Sequence, residues 1–481
     1  MVFSSIVFLC GFMPIVFLLY YFCPSRYRNI LLLIASLIFY AWGEPGYIFI
    51  MLFSTVFDYC NGRLISMFKR KRKYRSAKYV LILSVAGNLT ILGVFKYIDL
   101  IIGTINTLRA DEISLLNIAL PLGISFYTFQ TMSYTIDVYK GRVPAQKSII
   151  DFATYVCMFP QLIAGPIVRY GHVAKDLHKR TFTEQNLALG FQRFVMGLGK
   201  KVILANQVGD IWKDISQISA SDISISLAWL GALCYTFQIY FDFSGYSDMA
   251  IGMGQMLGFD FPENFDHPYL SKSITEFWKR WHISLGTWFK EYVYIPLGGN
   301  RCGIVRQVIN LFIVWCLTGL WHGAAWSFLL WGIYFFVLVY IEKWFMLDFL
   351  KKMPKIFSHV YTMFFVIIGW VIFSHEDFRE LLSYVKALFG VGVPFINNAA
   401  LYKWYTSIAL LIILIFASTG FPKKVVFKLE AVFAAKYPSV DEDYGEKIHF
   451  WLVSVYSFLI LIVSLSMIVS GSYNPFLYFR F

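Results

Sequence analysis

The stretch Thr318-Gly-Leu-Trp-His-Gly323 separates two apolar segments, near residues 307–319 and 324–341. The first segment has about 13 residues, or roughly 20 Å of helix, and is shorter than a hydrocarbon core of about 30 Å. We therefore predict that the turn carrying His322 lies within the membrane. Irregular backbone at that depth is tolerated only where it is buried in protein or lines a cavity. The pattern favours a position for His322 at the wall of a tunnel or pocket.

The composition is that of a membrane protein. Of the 481 residues, 58% are hydrophobic and only 15% are charged, whereas a soluble domain carries about 25% charged residues. Apolar runs recur along nearly the whole length, and segments of about 20 residues fit as spanning helices. We predict an all-α polytopic membrane protein, one domain over residues 1–481, with about 10–12 transmembrane helices.

The basic residues cluster in short loops. The net charge is +13, and the loop Lys69–Arg75 contains no acid. Because the positive-inside rule explains such loops, we predict membrane lipid as a partner and no nucleic acid. The same rule places the N-terminus and Phe481 outside. The seven cysteines form no CxxC pair or ligand cluster, so no metal site is predicted.

Hydropathy and charge together predict the positions of several helices. The predicted ranges are 5–22, 29–42, 46–62, 78–103, 114–138, 356–373, 404–421 and 449–470.

A second Trp-His pair, Trp281-His282, lies in an amphipathic segment. If residues 277–289 form one helix, the aromatic residues and His282 share a face, and the charges of Glu276, Lys279, Arg280 and Lys290 fall opposite. Such a helix cannot face lipid all round, so we expect it to be interfacial or recessed within the bundle.

Both histidines are candidates for chemistry, because ionisable groups within a membrane are costly. As a general base, His322 would take the proton of a hydroxyl that attacks an acyl carbon. The alternative is a structural histidine that bonds a backbone carbonyl. His282 would orient substrate, polarise the acyl carbonyl or anchor its helix. Trp281 and Trp321 are predicted to bind substrate beside the histidines.

Polar residues recur in the apolar stretch 235–248. Gln238 and Asp242 are four residues apart, and Ser244 begins a second such stripe. These side chains either line a substrate channel or form a hydrogen-bond network between helices.

The segment Tyr294-Ile-Pro-Leu-Gly-Gly-Asn300-Arg301 contains Pro and paired Gly, which predict a turn, and ends with a basic residue, Arg301. Arg301, with Asn300, would either hold a phosphate or anchor the chain at the cytoplasmic surface.

Three motifs resemble those of the membrane-bound O-acyltransferase family. They are Phe277-Trp-Lys-Arg-Trp-His282-Ile-Ser-Leu, Tyr292-Val-Tyr-Ile-Pro-Leu-Gly-Gly-Asn-Arg301 and Gly319-Leu-Trp-His322-Gly. The chain is most similar to the bacterial branch that includes the alginate and peptidoglycan O-acetyltransferase membrane subunits. Further similar stretches are Asn29 to Glu44, Pro121 to Asp137, Phe159 to Arg169 and Tyr240 to Met249. The resemblance therefore covers nearly the whole chain.

The resemblance implies a helical bundle with recessed helices around a central tunnel, in the bacterial inner membrane. It assigns His322 as the catalytic histidine and His282 as the second signature histidine. The branch moves an acyl group from a cytoplasmic donor, here expected to be acetyl-CoA with no bound cofactor, toward an extracytoplasmic polysaccharide. A separate SGNH-type esterase-like partner usually completes the transfer.

The C-terminal sequence Phe476-Leu-Tyr-Phe-Arg-Phe481 is similar to the aromatic motif of the small partner protein in D-alanylation systems. It suggests Tyr478 as an acyl relay, because a tyrosine hydroxyl can carry an acyl group; an aromatic belt at the membrane interface is the alternative. Two other functions stay open: a D-alanyl transferase for teichoic acid and a non-enzymatic transporter of lipid-linked sugars.

Overall fold

The computed structural model describes residues 1–109, 111–219, 222–421 and 442–471, together with residues 425 and 428. For residues 442–449 it describes the backbone alone. The described residues form helices, turns and loops, and they contain no strand. The predicted all-helical class is confirmed.

Seven helical segments in the described part of the chain are long and apolar enough to cross a membrane. They cover Ile48–Arg70, Tyr74–Asn106, Ile304–His322, Trp326–Lys352, Lys355–Ser374, Asn398–Ala417 and Phe450–Ser470. A shorter apolar helix covers Val7–Phe22. The multi-pass class is confirmed, whereas the total number of spanning helices and the tunnel stay predictions.

The chain forms two compact units. The first contains Met1–Phe194 and Tyr246–Pro262, and the second contains Val195–Gly245 and the described residues from Glu263 onward. Compact units are not by themselves separate domains, so one membrane domain over residues 1–481 stays a prediction.

The helices of residues 1–194 follow the apolar runs. In chain order they are α1 (Met13–Phe22), α2 (Arg28–Ala41), α3 (Ile48–Arg70), α4 (Tyr74–Leu92), α5 (Ile98–Asn106), α6 (Ile124–Lys140), α7 (Ile149–Cys157), α8 (Phe159–Leu162), α9 (Tyr170–His178) and, continuing past this range, α10 (Glu184–Gly199). Single turns of π-helix lie at Val7–Phe12 and Gly93–Tyr97, and a 3₁₀ turn lies at Ser25–Tyr27.

The helix predicted over 114–138 begins later than expected, at Ile124. Pro121 lacks a backbone N–H, and Gly123 adopts a left-handed φ of 74°. These two residues prevent the helix from starting before α6. The first ten residues of the predicted helix, 114–123, were therefore wrong.

A polar network joins α3, α4 and α6 within the first unit. The buried carboxylate of Asp58 accepts hydrogen bonds from Ser84 Oγ and Asn88 Nδ2, each at 2.6 Å. Ser84 Oγ in turn lies 2.9 Å from Thr135 Oγ1. Hydrogen bonds between apolar helices satisfy polar groups that lipid cannot.

The remaining helices begin with a π-helical segment, Lys200–Ala205. They are α11 (Asn206–Ser216), α12 (Ile225–Met256), α13 (Ile274–Arg280), α14 (Ile283–Phe289), α15 (Ile304–His322), α16 (Trp326–Ile341), α17 (Leu347–Lys352), α18 (Lys355–Ser374), α19 (Phe378–Leu388), α20 (Asn398–Ala417) and α21 (Glu442–Ser470). Further π-helical turns lie at Lys290–Tyr294 and Glu342–Met346, and a 3₁₀ turn lies at Pro268–Leu270.

Two glycines bring α15 and α16 close together. A Cβ added at Gly319 would lie 2.3 Å from the carbonyl oxygen of Phe328, and one at Gly332 would lie 2.4 Å from that of Trp315. Small residues permit such close helix approach in membranes. The short segment predicted before His322 was wrong, because α15 continues for 19 residues and ends at His322 itself.

Candidate active site

His282 lies at a sharp break between two helices. α13 ends at Arg280 and α14 begins at Ile283, and His282 adopts φ 44° and ψ 53°. A left-handed conformation is uncommon for a residue with a side chain. The single helix predicted over residues 277–289 was therefore wrong. Because the helix is interrupted at His282, a helical wheel does not describe which residues share a face with it.

Asn264 stabilises this break through hydrogen bonds to both its backbone and its side chain. Its carbonyl oxygen accepts the N–H of Ile283 at 3.0 Å. Its Oδ1 accepts the N–H and Oγ of Ser284 at 3.2 and 2.9 Å. The same Oδ1 lies 3.1 Å from Nδ1 of His282.

These contacts decide the tautomer of His282. A backbone N–H must face an oxygen, so the amide of Asn264 presents Oδ1 rather than Nδ2 to Ser284. Nδ1 of His282 therefore carries the proton and donates to Asn264, and Nε2 is an acceptor. Burial lowers the pKa of His282 to about 3, so the imidazole is neutral at neutral pH.

A buried carboxylate fixes the helix that leads into His282. Glu342, which follows α16, accepts the N–H of Ile274 at 2.6 Å with Oε1. Its Oε2 accepts the N–H and Oγ1 of Thr275 at 2.8 and 2.7 Å. A negative charge at a helix N-terminus satisfies unpaired N–H groups and the helix dipole. Glu342 thereby anchors α13.

His322 lies in an aromatic enclosure at the end of α15. The rings of Trp321, Trp331 and Phe373 stand edge-on to its imidazole, with centroids at 5.0, 5.1 and 5.2 Å. The histidine is 3% exposed. Such a shell excludes water, which strengthens any electrostatic interaction inside it.

Trp321 joins the two histidines. Its ring centroid lies 5.0 Å from that of His322 and 5.8 Å from that of His282. Trp281 packs instead against Trp370 and Phe265, at 4.7 and 5.0 Å. One tryptophan of the two pairs, Trp321, therefore contacts both histidine rings, whereas Trp281 contacts neighbouring aromatic rings.

The polar residues predicted on α12 have varied surroundings. Asp242 forms an ion pair of 2.6 Å with Lys201, and their side chains are 2% and 3% exposed. Gln238 packs so closely on Gly209 that a Cβ there would lie 2.5 Å from Nε2. Ser244 is buried. The residue between Asp242 and Ser244, Phe243, contacts the ring of His282 at 4.6 Å.

The turn carrying Asn300 and Arg301 lies at the surface. Asn300 Oδ1 accepts hydrogen bonds from Tyr294 Oη at 2.7 Å and Lys343 Nζ at 3.1 Å. Arg301 and Arg306 are exposed beside them, which leaves a basic patch suited to an anion. Their predicted binding role, like those of Asp242, Gln238 and Ser244, stays a prediction.

Three polar residues of the described site were missed by the sequence analysis: Asn264, Lys201 and Glu342. The last two had a signal, because each is a charge within or beside an apolar run and such charges require a partner. Asn264 had none, since its role depends on a fold-specific contact. Tyr478 lies outside the described residues.

Comparison with known proteins identifies the family. Residues 142–385, which include both histidines, match the family described as MBOAT, membrane-bound O-acyltransferase. The chain belongs to the membrane-bound O-acyltransferase family. This acyltransferase is 39% identical to a probable alginate O-acetylase AlgI of Azotobacter vinelandii over the full length of both chains.

Two further relatives of this membrane-bound O-acyltransferase differ in their named substrates. The peptidoglycan O-acetyltransferase of Helicobacter pylori is 32% identical over 100% of this chain and 98% of the relative. The teichoic acid D-alanyltransferase of Bacillus subtilis is 30% identical over 54% of this chain and 70% of the relative. The predicted family and enzyme class are confirmed.

Proposed function

We propose that this acyltransferase takes an acetyl group from acetyl-CoA and passes it across the bacterial inner membrane for O-acetylation of an extracytoplasmic polysaccharide, such as alginate or peptidoglycan. The observation that carries the proposal is the junction of the two Trp-His turns at Trp321. It brings the buried, neutral imidazole of His282 and the ring of His322 into contact with the same indole ring.

His322 acts as the general base in this proposal. It takes the proton of the acceptor hydroxyl as that oxygen attacks the acetyl carbon of the thioester. The carbonyl electron pair moves onto oxygen. When it returns, the carbon–sulfur bond breaks, and the thiolate of coenzyme A receives the proton from His322.

His282 has a supporting role in this proposal. Because its Nδ1–H is directed to Asn264, Nε2 accepts a hydrogen bond rather than donating one. An acceptor cannot polarise the acyl carbonyl, which needs a donor. His282 is therefore suited to orient a substrate hydroxyl or amide N–H.

The proposed acetyl donor, acyl relay and partner protein are based on the sequence. The basic patch at Asn300 and Arg301 suits the phosphates of coenzyme A. Tyr478 receives the acetyl group and presents it to an SGNH-type partner outside the membrane, with both termini of the chain on that side. The partner then esterifies the polysaccharide.

The two other functions make different predictions. A teichoic acid D-alanyltransferase would transfer D-alanine, but the Bacillus subtilis relative aligns with only 54% of this chain, whereas the Azotobacter vinelandii and Helicobacter pylori relatives align with all of it. A transporter of lipid-linked sugars would leave no acetyl ester. Labelled acetyl donor separates the three, since only acetyl transfer leaves labelled ester on protein or glycan.

The test is mass spectrometry of surface glycan from cells with native enzyme, His322→Ala or His375→Ala. His375 is a matched control, because it is also a histidine packed among aromatic rings, those of Trp212 and Tyr384. We expect O-acetylation to disappear in His322→Ala and to persist in His375→Ala. Unchanged acetylation in His322→Ala, with the protein present in the membrane, would refute the proposal.

A further inference from the structure

The indole of Trp331 lies directly against the ring of His322. The two centroids are 5.1 Å apart and the rings are at 78°. Trp331 is 0% exposed. Its position follows from the close approach of α15 and α16, because Gly332, the next residue, packs against Gly319 and Trp315.

The indole N–H of Trp331 has no hydrogen-bond acceptor among the described residues. A buried tryptophan N–H usually finds a partner, and leaving a buried donor unsatisfied costs about 1–3 kcal/mol. Two other indoles in the same unit follow this rule: Trp229 donates to the carbonyl of Leu388 at 3.0 Å, and Trp404 donates to Ser226 Oγ at 2.8 Å. A buried donor kept without an acceptor beside the candidate base requires an explanation.

We propose that Trp331 is a catalytic residue whose indole N–H donates a hydrogen bond to the acyl carbonyl oxygen during transfer. This inference rests on the proposed function of His322 as the base. When the acceptor oxygen attacks the acyl carbon, the carbonyl π pair moves onto its oxygen, and the N–H meets the negative charge that develops there. This hydrogen bond weakens again when the electron pair returns to re-form the carbonyl and the carbon–sulfur bond breaks.

The chemistry of the neighbouring histidine supports this assignment. An oxyanion needs a donor fixed in advance in a water-excluded site. Nε2 of His282 is an acceptor, and its Nδ1–H is directed to Asn264. The N–H of Trp331 is a donor held rigidly by packing on Trp278 and Phe335, with ring centroids at 5.4 and 5.1 Å.

Trp278 provides a matched control. Its Nε1 is also buried without a partner among the described residues, and its ring packs on Trp331, Trp315 and Phe335. The structure gives it no ring contact with His322. Removing either N–H therefore changes the same aromatic cluster, but of these two indoles only that of Trp331 contacts the ring of His322.

The test replaces each tryptophan in turn by benzothienylalanine, in which sulfur takes the place of the N–H at nearly constant shape, and by Phe. Steady-state rates are measured with purified protein and labelled acetyl-CoA. At position 331 we expect kcat to fall about 10²-fold with little change in KM, as for the loss of one oxyanion donor. At position 278 we expect kcat within about threefold of native.

Several outcomes would overturn the inference. Native kcat for the isostere at position 331, while His322→Ala is inactive, would show that the N–H is not catalytic. Equal losses at positions 331 and 278 would assign the effect to packing. Activity in His322→Ala would instead refute the proposed function itself, so the two failures are distinguishable.

Discussion

At the scale of single residues, the direction of one hydrogen bond determines what His282 is able to do. Asn264 takes the Nδ1 proton of His282, and the backbone N–H of Ser284 fixes the amide that does so. His282 is thereby a neutral acceptor. Its aromatic neighbour Trp321 extends the same cluster to His322. The proposed division into an orienting histidine and a base rests on these contacts.

Asn264→Asp tests this division through the pH dependence of activity. Burial holds the pKa of His282 at about 3, below its ordinary value of 6.5, and a carboxylate on Nδ1 would favour the protonated form and raise that pKa. A protonated imidazole has no acceptor at Nε2. The variant should therefore lose activity as pH falls toward the raised pKa, at a pH where the native enzyme stays active.

The measurement is the pH–rate profile of acetyl transfer, with Asn397→Asp as the control. Asn397 caps α20 through its side chain, and Asp is an equally good cap, so its profile should match the native one. We expect the midpoint of the acid limb to lie at higher pH in Asn264→Asp than in the native enzyme. An unshifted limb would show that Nε2 of His282 is not used as an acceptor.

At the scale of elements, small residues and charges place the two histidine turns. α15 and α16 meet at Gly319 and Gly332, where neither residue has room for a Cβ. Glu342, just after α16, anchors the start of α13. The same helix pair therefore positions both His322 and, through α13, His282.

Gly319→Ala tests the close approach of α15 and α16. Its Cβ would lie 2.3 Å from the carbonyl oxygen of Phe328, and backbone on both sides must move, at a cost of about 1–3 kcal/mol. We expect a lower melting temperature and loss of most acetyl transfer, because His322 is three residues away on the same helix.

Gly103→Ala is the matched control, since a Cβ there would meet nothing within 4 Å. It should keep native activity and melting temperature. If Gly319→Ala behaved like Gly103→Ala in thermal unfolding and transfer assays, the helix contact would not position His322.

At the scale of the whole molecule, an acyl group must travel from donor to acceptor through a membrane protein. The described helices include seven segments able to span a membrane, and the candidate base lies at the end of one of them, Ile304–His322. The proposed relay ends at Tyr478, which lies outside the described residues. The relay is therefore argued from sequence and from the chemistry of a tyrosine ester.

Tyr478→Phe removes the hydroxyl and leaves the aromatic ring. We expect glycan O-acetylation to be abolished while the protein stays in the membrane at its native level, as measured by mass spectrometry and immunoblotting of membranes. Tyr473→Phe, five residues earlier in the same C-terminal segment, should acetylate normally. Full acetylation in Tyr478→Phe would eliminate the relay and leave the role of His322 intact.

The sequence by itself determined the helical membrane class and the rough limits of the helices. Apolar runs must bury their backbone polar groups within helices, and this is a local property that can be read residue by residue. The ranges 29–42 and 356–373 were predicted and occur as Arg28–Ala41 and Lys355–Ser374. The two Trp-His pairs were also apparent, because histidine is costly in apolar surroundings.

Only the tertiary structure determined which residues the two Trp-His pairs contact. The helix over residues 277–289 fits a local periodicity, yet it breaks at His282, where Asn264 supplies hydrogen bonds to the exposed backbone and side chain. The ion pair of Asp242 with Lys201 depends likewise on a contact between segments distant in the chain. So does the environment of the Trp331 N–H, which has no acceptor among the described residues. Hydropathy and periodicity report whether a segment is buried, but the direction of a hydrogen bond depends on which distant atom lies opposite.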